Sequence, residues 1–161
     1  MNARSNKAVK LLVGAVLAMG ISFSTAQDNS DASPTSYGPP AAIYSNPGGR
    51  IIDFALQAAK YRSAGKQVQF TGQCDSACTL FLGLPQRQIC VSPGASFRFH
   101  APTSGNERAA YKAKLYLLKK YPGWVRSYIA QRGGLTHNLI TMDYTVASRF
   151  VSVCGRTVAS R

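Results

Sequence analysis

Between Ala42 and Phe99 the sequence switches repeatedly between strand and helix patterns, and each early strand runs into a turn that opens a helix. That order constrains the fold most, because strand–helix–strand alternation is the signature of parallel strands joined by crossover helices. The run Ala42-Ile43-Tyr44 reads as a strand ending at Ser45-Asn46-Pro47-Gly48-Gly49, where two glycines take positive φ at little cost. Ile51, Ile52, Phe54, Ala55, Ala58 and Ala59 then recur at helical spacing, and Gly65 stands where that helix would stop. Lys66 to Thr71 alternates as a strand, with Val68 and Phe70 on one side. Gly72 to Ser76 reads as the next turn, and Ser76 to Leu84 as a second apolar helix ended by Pro85. Gln88 to Val91 and Ser96 to Phe99 read as further short strands, followed by helices over 107–120, 122–132 and about 143–153. The expected fold class is α/β with a mostly parallel sheet.

Residues 1–26 carry a basic start (Arg4, Lys7, Lys10), an apolar run from Leu11 to Phe23 and the small residues Ser24-Thr25-Ala26, the layout of a secretory signal peptide. The apolar run is shorter than the ~20 residues needed to cross a bilayer, so the expectation is an exported bacterial protein, periplasmic or secreted, with no transmembrane anchor in its mature form. Residues 27–41 are polar and rich in Pro and Ser, a flexible lead-in, and 42–161 is one domain with one core. Cys74, Cys78, Cys90 and Cys154 all lie in the mature part, and export with an even count favours two disulfides. Four cysteines allow three pairings and sequence alone does not choose; Cys78 with Cys90 and Cys74 with Cys154 is the pairing favoured here. His100 and His137 are poorly spaced to complete a zinc site with them, so neither a metal nor another cofactor is expected.

The formal charge is +13, and the loss of Arg4, Lys7 and Lys10 with the signal lowers it by three to +10. Such a balance suits an anionic envelope component as a partner. Lys112, Lys114, Lys119 and Lys120 cluster on one expected helix, but no aromatic residues interleave with them as a stacking motif, so no specific nucleic-acid partner is expected.

Ser76 and His100 are the residues that carry chemistry. Ser76 stands where a strand turns into a helix, beside backbone N–H groups that can stabilise an oxyanion. Serine needs a base, and His100 ends the strand that follows. A carboxylate would orient that histidine, and mature acids are scarce: Asp53, Asp75, Glu107 and Asp143, besides two in the lead-in. Asp75 adjoins Ser76, and consecutive side chains diverge, which leaves Asp143 as the better candidate. Each has a plainer account: Ser76 as a helix cap, His100 as a strand-end residue satisfied by backbone, and Asp143 as a helix N-terminal acid. His137, in a polar loop, reads as solvent-exposed.

Three segments occur in order: Ser45-Asn46-Pro47-Gly48-Gly49, Gly72-Gln73-Cys74-Asp75-Ser76-Ala77-Cys78 and Phe99-His100-Ala101-Pro102. They resemble the Asn-Ser-Pro-Gly-Gly turn, the Gly-Gln-Ala-Ala-Ser-Met-Gly nucleophile segment and the Ile-His-Gln-Pro base segment of the Clp protease proteolytic subunit, within the crotonase-like superfamily. Exported Clp-protease-like proteins of bacterial envelopes are the more similar group. The match spans about residues 43 to 155, and Asp143 and Gly155 fit the final helix loosely. The resemblance implies a ClpP/crotonase-like spiral of ββα units in a single domain, N-terminally shortened because only one strand precedes the Pro-Gly-Gly turn. It further implies Ser76 as nucleophile, His100 as general base, Asp143 as its orienter, and the backbone N–H groups of Gly49 and Ala77 as the oxyanion hole. The expected activity is serine hydrolysis, peptidase-like, through an acyl-enzyme on a peptide or protein substrate, and relatives that form rings or trimers imply a homo-oligomer. The alternative is an inactive, disulfide-braced binding module of the same fold with a basic surface.

Overall fold

The computed structural model describes residues 38–155, so the signal peptide and most of the lead-in lie outside the described residues. Strand β1 (Ala41–Asn46) leads through the Pro47-Gly48-Gly49 turn into helix α1 (Ile51–Ser63), and β2 (Val68–Asp75) follows. A 3-10 helix (Ser76–Gly83) and a single 3-10 turn (Gln86–Gln88) connect β2 to β3 (Ile89–Val91) and β4 (Ser96–Phe99). Helices α2 (Glu107–Lys120) and α3 (Gly123–Ala130), strand β5 (Ile140–Asp143) and the short α4 (Tyr144–Ala147) complete the order.

The sheet is mixed. β2 lies at its centre with β1 parallel on one side; on the other, its first half pairs with β3 and its second half with β4, both parallel. The break between β3 and β4 is a turn in which Ser92 donates its N–H to the Phe70 carbonyl at 2.8 Å. β5 closes the far edge antiparallel to β4. This strand is an addition to the sequence expectation, since Ile140-Thr141-Met142-Asp143 offers only two inward residues, Ile140 and Met142. The expected helix over 143–153 shrinks to α4, because the tail beyond it runs extended: Val153 bridges Val91, and Cys154 donates its N–H to the Val91 carbonyl at 3.0 Å.

One face of the sheet is apolar. Val68, Phe70 and Cys74 of β2 line up with Phe97 and Phe99 of β4 and Met142 of β5, all completely buried. Period-two alternation forces this, and each such phenylalanine contributes roughly 1.5–3 kcal/mol relative to exposure. Phe70 meets Phe97 edge-on at 4.9 Å between centroids. The 3-10 helix is buried from Ala77 to Leu82 and receives α1 through Phe81, which touches Phe54 and Tyr61. The sequence pattern identified that apolar helix but not its tighter winding.

Gly72 belongs to β2 rather than to a turn. A Cβ there would lie 1.8 Å from the Tyr44 carbonyl oxygen, so the irregular pairing of β1 at Tyr44 needs glycine opposite it.

The disulfides are Cys74–Cys78 and Cys90–Cys154, which corrects the favoured pairing. Cys74 and Cys78 flank the β2-to-helix turn with Cα atoms 5.4 Å apart, while the tail brings Cys154 to 4.9 Å from Cys90 on β3. Both spacings fall within disulfide reach. Among the described residues no helix is long and apolar enough to cross a membrane.

Candidate active site at the Ser76 turn

Asn46 ends β1 and folds its side chain onto the following turn: Gly48 donates its N–H to Asn46 Oδ1 at 2.9 Å. Gly48 has φ +85°, and a Cβ on it would meet the Asp75 carbonyl oxygen at 2.5 Å, Ser76 Cβ at 2.8 Å and the Ala77 nitrogen at 3.0 Å. The Pro47-Gly48-Gly49 turn therefore lies directly against the start of the 3-10 helix. Only glycine permits that approach.

Ser76 has φ +52° and is the one non-glycine residue with positive φ among the described residues. An L-residue there is strained by roughly 1–2 kcal/mol, and such strain persists only where the surroundings over-determine it. They do so here. Asp75 is 6% exposed and holds Arg98 with both oxygens: Arg98 Nε donates to Oδ1 at 2.8 Å and Nη2 to Oδ2. Gln73 Nε2 adds a third donor to Oδ2 at 2.7 Å. The Cys74–Cys78 bridge ties the two flanks of the turn together. Asp75 is thus fully engaged with Arg98 and Gln73 and takes no part in orienting a histidine. Arg98 went unnoticed in the sequence, although Phe97-Arg98-Phe99 shows it must face away from the phenylalanine side, toward the β2 residue that the register sets opposite, Asp75.

His100 follows β4 and is half-buried. Its Nδ1 lies 2.8 Å from the Ala101 carbonyl oxygen. A carbonyl only accepts, so Nδ1 is the donor in that bond, and in the neutral ring it is Nε2 that keeps its lone pair. That is the tautomer a general base needs. His100, Ser76 and Gly49 line one cavity of about 550 Å³, together with Arg50, Pro102 and Ala113. Among the described residues no hydrogen bond joins the Ser76 hydroxyl directly to the His100 ring.

Ala77, second in its helix and completely buried, has an N–H with no intrahelical acceptor, and it adjoins the Gly48-Gly49 turn. Both expected oxyanion donors, Gly49 and Ala77, therefore border the Ser76 turn.

Asp143 does not join them. The β4–β5 register sets it opposite Ser96, whereas His100 lies beyond the other end of the pairing, past Phe99 and Ile140. Four residues of strand put about 13 Å between the two levels. Its Oδ1 instead accepts from the Val146 N–H at 3.0 Å, capping α4. The expectation that Asp143 orients His100 is corrected: the antiparallel turn-back of β5 carries it to the wrong end of the sheet, and the group on His100 Nδ1 is the Ala101 carbonyl. His137 is exposed and borders a neighbouring cavity with Glu107 and Lys114, which shares Pro102 and Thr103 with the first. Among the described residues no three His, Cys, Asp or Glu side chains gather as a metal site.

No protein-family model matches the sequence, and no curated protein does either. Among solved structures, one called only an enzyme is similar over 71% of this chain and 76% of its own, with 10% identity and a TM-score of 0.49.

Proposed function

We propose that this protein is an exported serine hydrolase, peptidase-like in its chemistry, that works through a Ser76–His100 dyad. The single observation that carries the reading is the strained, over-determined backbone of Ser76 in a cavity it shares with a correctly tautomerised His100. Strain of this kind concentrates at functional turns, and a nucleophile at a sharp strand-to-helix elbow is exposed to its substrate in this way. The resemblance to the Clp protease proteolytic subunit points to the same residues, and two disulfides suit an exported protein.

In this mechanism His100 Nε2 removes the Ser76 hydroxyl proton as Oγ bonds to the substrate's carbonyl carbon. The carbonyl π pair moves onto oxygen, where the N–H groups of Gly49 and Ala77 receive it. The tetrahedral intermediate collapses, the bond to the leaving group breaks, and His100 gives the leaving group its proton. Water then repeats the sequence on the acyl-enzyme and releases the acid. The Ala101 carbonyl fixes the imidazole tautomer but carries only a dipole to stabilise the imidazolium, so turnover is slower than with a carboxylate in that place.

The test is intact-mass analysis of mature, oxidised protein after exposure to an activated acyl ester. An acyl adduct that maps to Ser76 and is absent in Ser76→Ala supports the proposal, and folded wild type without an adduct refutes it. The second reading, an inert binding module with a basic surface, is favoured by one feature: among the described residues no carboxylate is hydrogen-bonded to His100. It predicts no adduct and retention on an anionic polymer that weakens steeply with salt.

A further inference from the structure

Beneath the Ser76 turn lies a buried polar chain that the proposed chemistry does not use. Thr79, with no exposure, has its hydroxyl 2.6 Å from the Ser76 carbonyl oxygen and 2.7 Å from the Tyr121 hydroxyl. The direction of these bonds follows from the groups. A carbonyl only accepts, so the single Thr79 proton goes to Ser76, and Tyr121 must give its own proton to Thr79 Oγ1.

Tyr121 is 2% exposed and is itself held firmly. It caps α2 by donating its N–H to the Leu117 carbonyl at 3.0 Å, and its carbonyl accepts from Arg126 Nη1 at 2.6 Å. Its ring meets Phe99 edge-on at 5.6 Å, and Phe99 immediately precedes His100. Tyr121 thus touches both halves of the site from below, the nucleophile turn through its hydroxyl and the base strand through its ring. Burial also keeps the phenol protonated, pushing it up to about 12, so it remains a donor throughout the neutral range.

We infer that Thr79 and Tyr121 are positioning residues, a buried relay that fixes the Ser76 carbonyl and thereby holds the strained turn and its hydroxyl toward His100. The consequence for reactivity rests on the hydrolase reading above; the hold on the turn does not. Tyr121→Phe is the informative variant, since it keeps the ring on Phe99 and removes only the relay hydroxyl. Thr79→Val removes the middle link at similar volume, and Thr79→Ser keeps it.

Two measurements on full-length mature protein separate the two claims. The first is amide hydrogen exchange at Cys78, Thr79 and Leu80, compared with β2 and β4. The relay requires exchange in the turn to quicken by about tenfold or more in Tyr121→Phe and Thr79→Val, with the strands unchanged and Thr79→Ser like wild type. Unchanged exchange in the turn, or a uniform rise across the sheet, overturns the relay whatever the reactivity. The second is the rate of fluorophosphonate labelling at saturation. A drop of about tenfold in Tyr121→Phe and in Thr79→Val, with Thr79→Ser like wild type, half-saturation unmoved and the double variant no slower than Thr79→Val, is the expected result, because links in series do not add. Multiplying effects overturn it. Quickened exchange in the two variants, with a wild type that never labels, retains the relay as a structural brace and ends the hydrolase reading.

Discussion

Ser76 is held from four directions, whereas His100 rests on one hydrogen bond to the next residue. Around the serine are the Asp75 ion pair with Arg98, the Cys74–Cys78 bridge, the Gly48 turn and the Thr79 hydroxyl. Around the histidine is the Ala101 carbonyl, with Phe99 buried behind it. The difference teaches where positional accuracy is concentrated. A positive-φ serine needs its frame closed on every side, while an imidazole needs only its tautomer set, and a backbone carbonyl is enough for that.

The two disulfides sharpen this contrast most. Cys90–Cys154 spans 64 residues and Cys74–Cys78 only 4, so chain-entropy arguments assign them about 4 and about 2 kcal/mol. Chemical denaturation of the paired alanine variants is expected to follow that order, and labelling of the folded protein to follow the reverse. Loss of Cys90–Cys154 should leave the labelling rate within about twofold, and loss of Cys74–Cys78 should lower it by about tenfold or more, on the premise that strain needs its frame. Next in size is Gly48→Ala, which adds a Cβ at positive φ against Asp75 and Ser76 and should cost roughly 2–4 kcal/mol with labelling lost. Gly105→Ala has nothing within 4 Å and should be neutral in the same assay.

Alkaline titration probes the layer beneath both halves. The Tyr121 phenol is raised to about 12 from 10.0 by its burial. Since the folded value lies above the unfolded one, the associated stability is complete below pH 10 and disappears as pH rises toward 12. About 3 kcal/mol is at stake, and Tyr121→Phe should flatten that part of the stability–pH curve. The smallest effect belongs to Asp143→Ala, which loses the α4 cap and about 1 kcal/mol of stability while labelling stays unchanged. A large labelling defect there would place Asp143 back beside His100.

Much of this was legible in the sequence. Alternation and helical spacing located Ser96–Phe99 and Glu107–Lys120 with their observed ends, and the turns containing Gly48-Gly49 and Ser76 do meet. Other features are written in no local pattern. Ile140–Asp143 is too short for its alternation to stand out, so the antiparallel edge went unseen, and with it the true position of Asp143. Elimination among scarce acids selects a residue type but cannot place it. The partner of His100 is a main-chain carbonyl, a group every residue carries, so no residue type could have marked it. Cysteine pairing depended on a tail that runs beside β3, a long-range fact.

The most direct measurement is fluorophosphonate labelling of mature, oxidised wild type beside Ser76→Ala, His100→Ala and Asp143→Asn. A dyad oriented by the Ala101 carbonyl predicts labelling of wild type and Asp143→Asn at equal rates and none in the other two. Folded wild type that stays unlabelled, or His100→Ala that labels as fast as wild type, would contradict it.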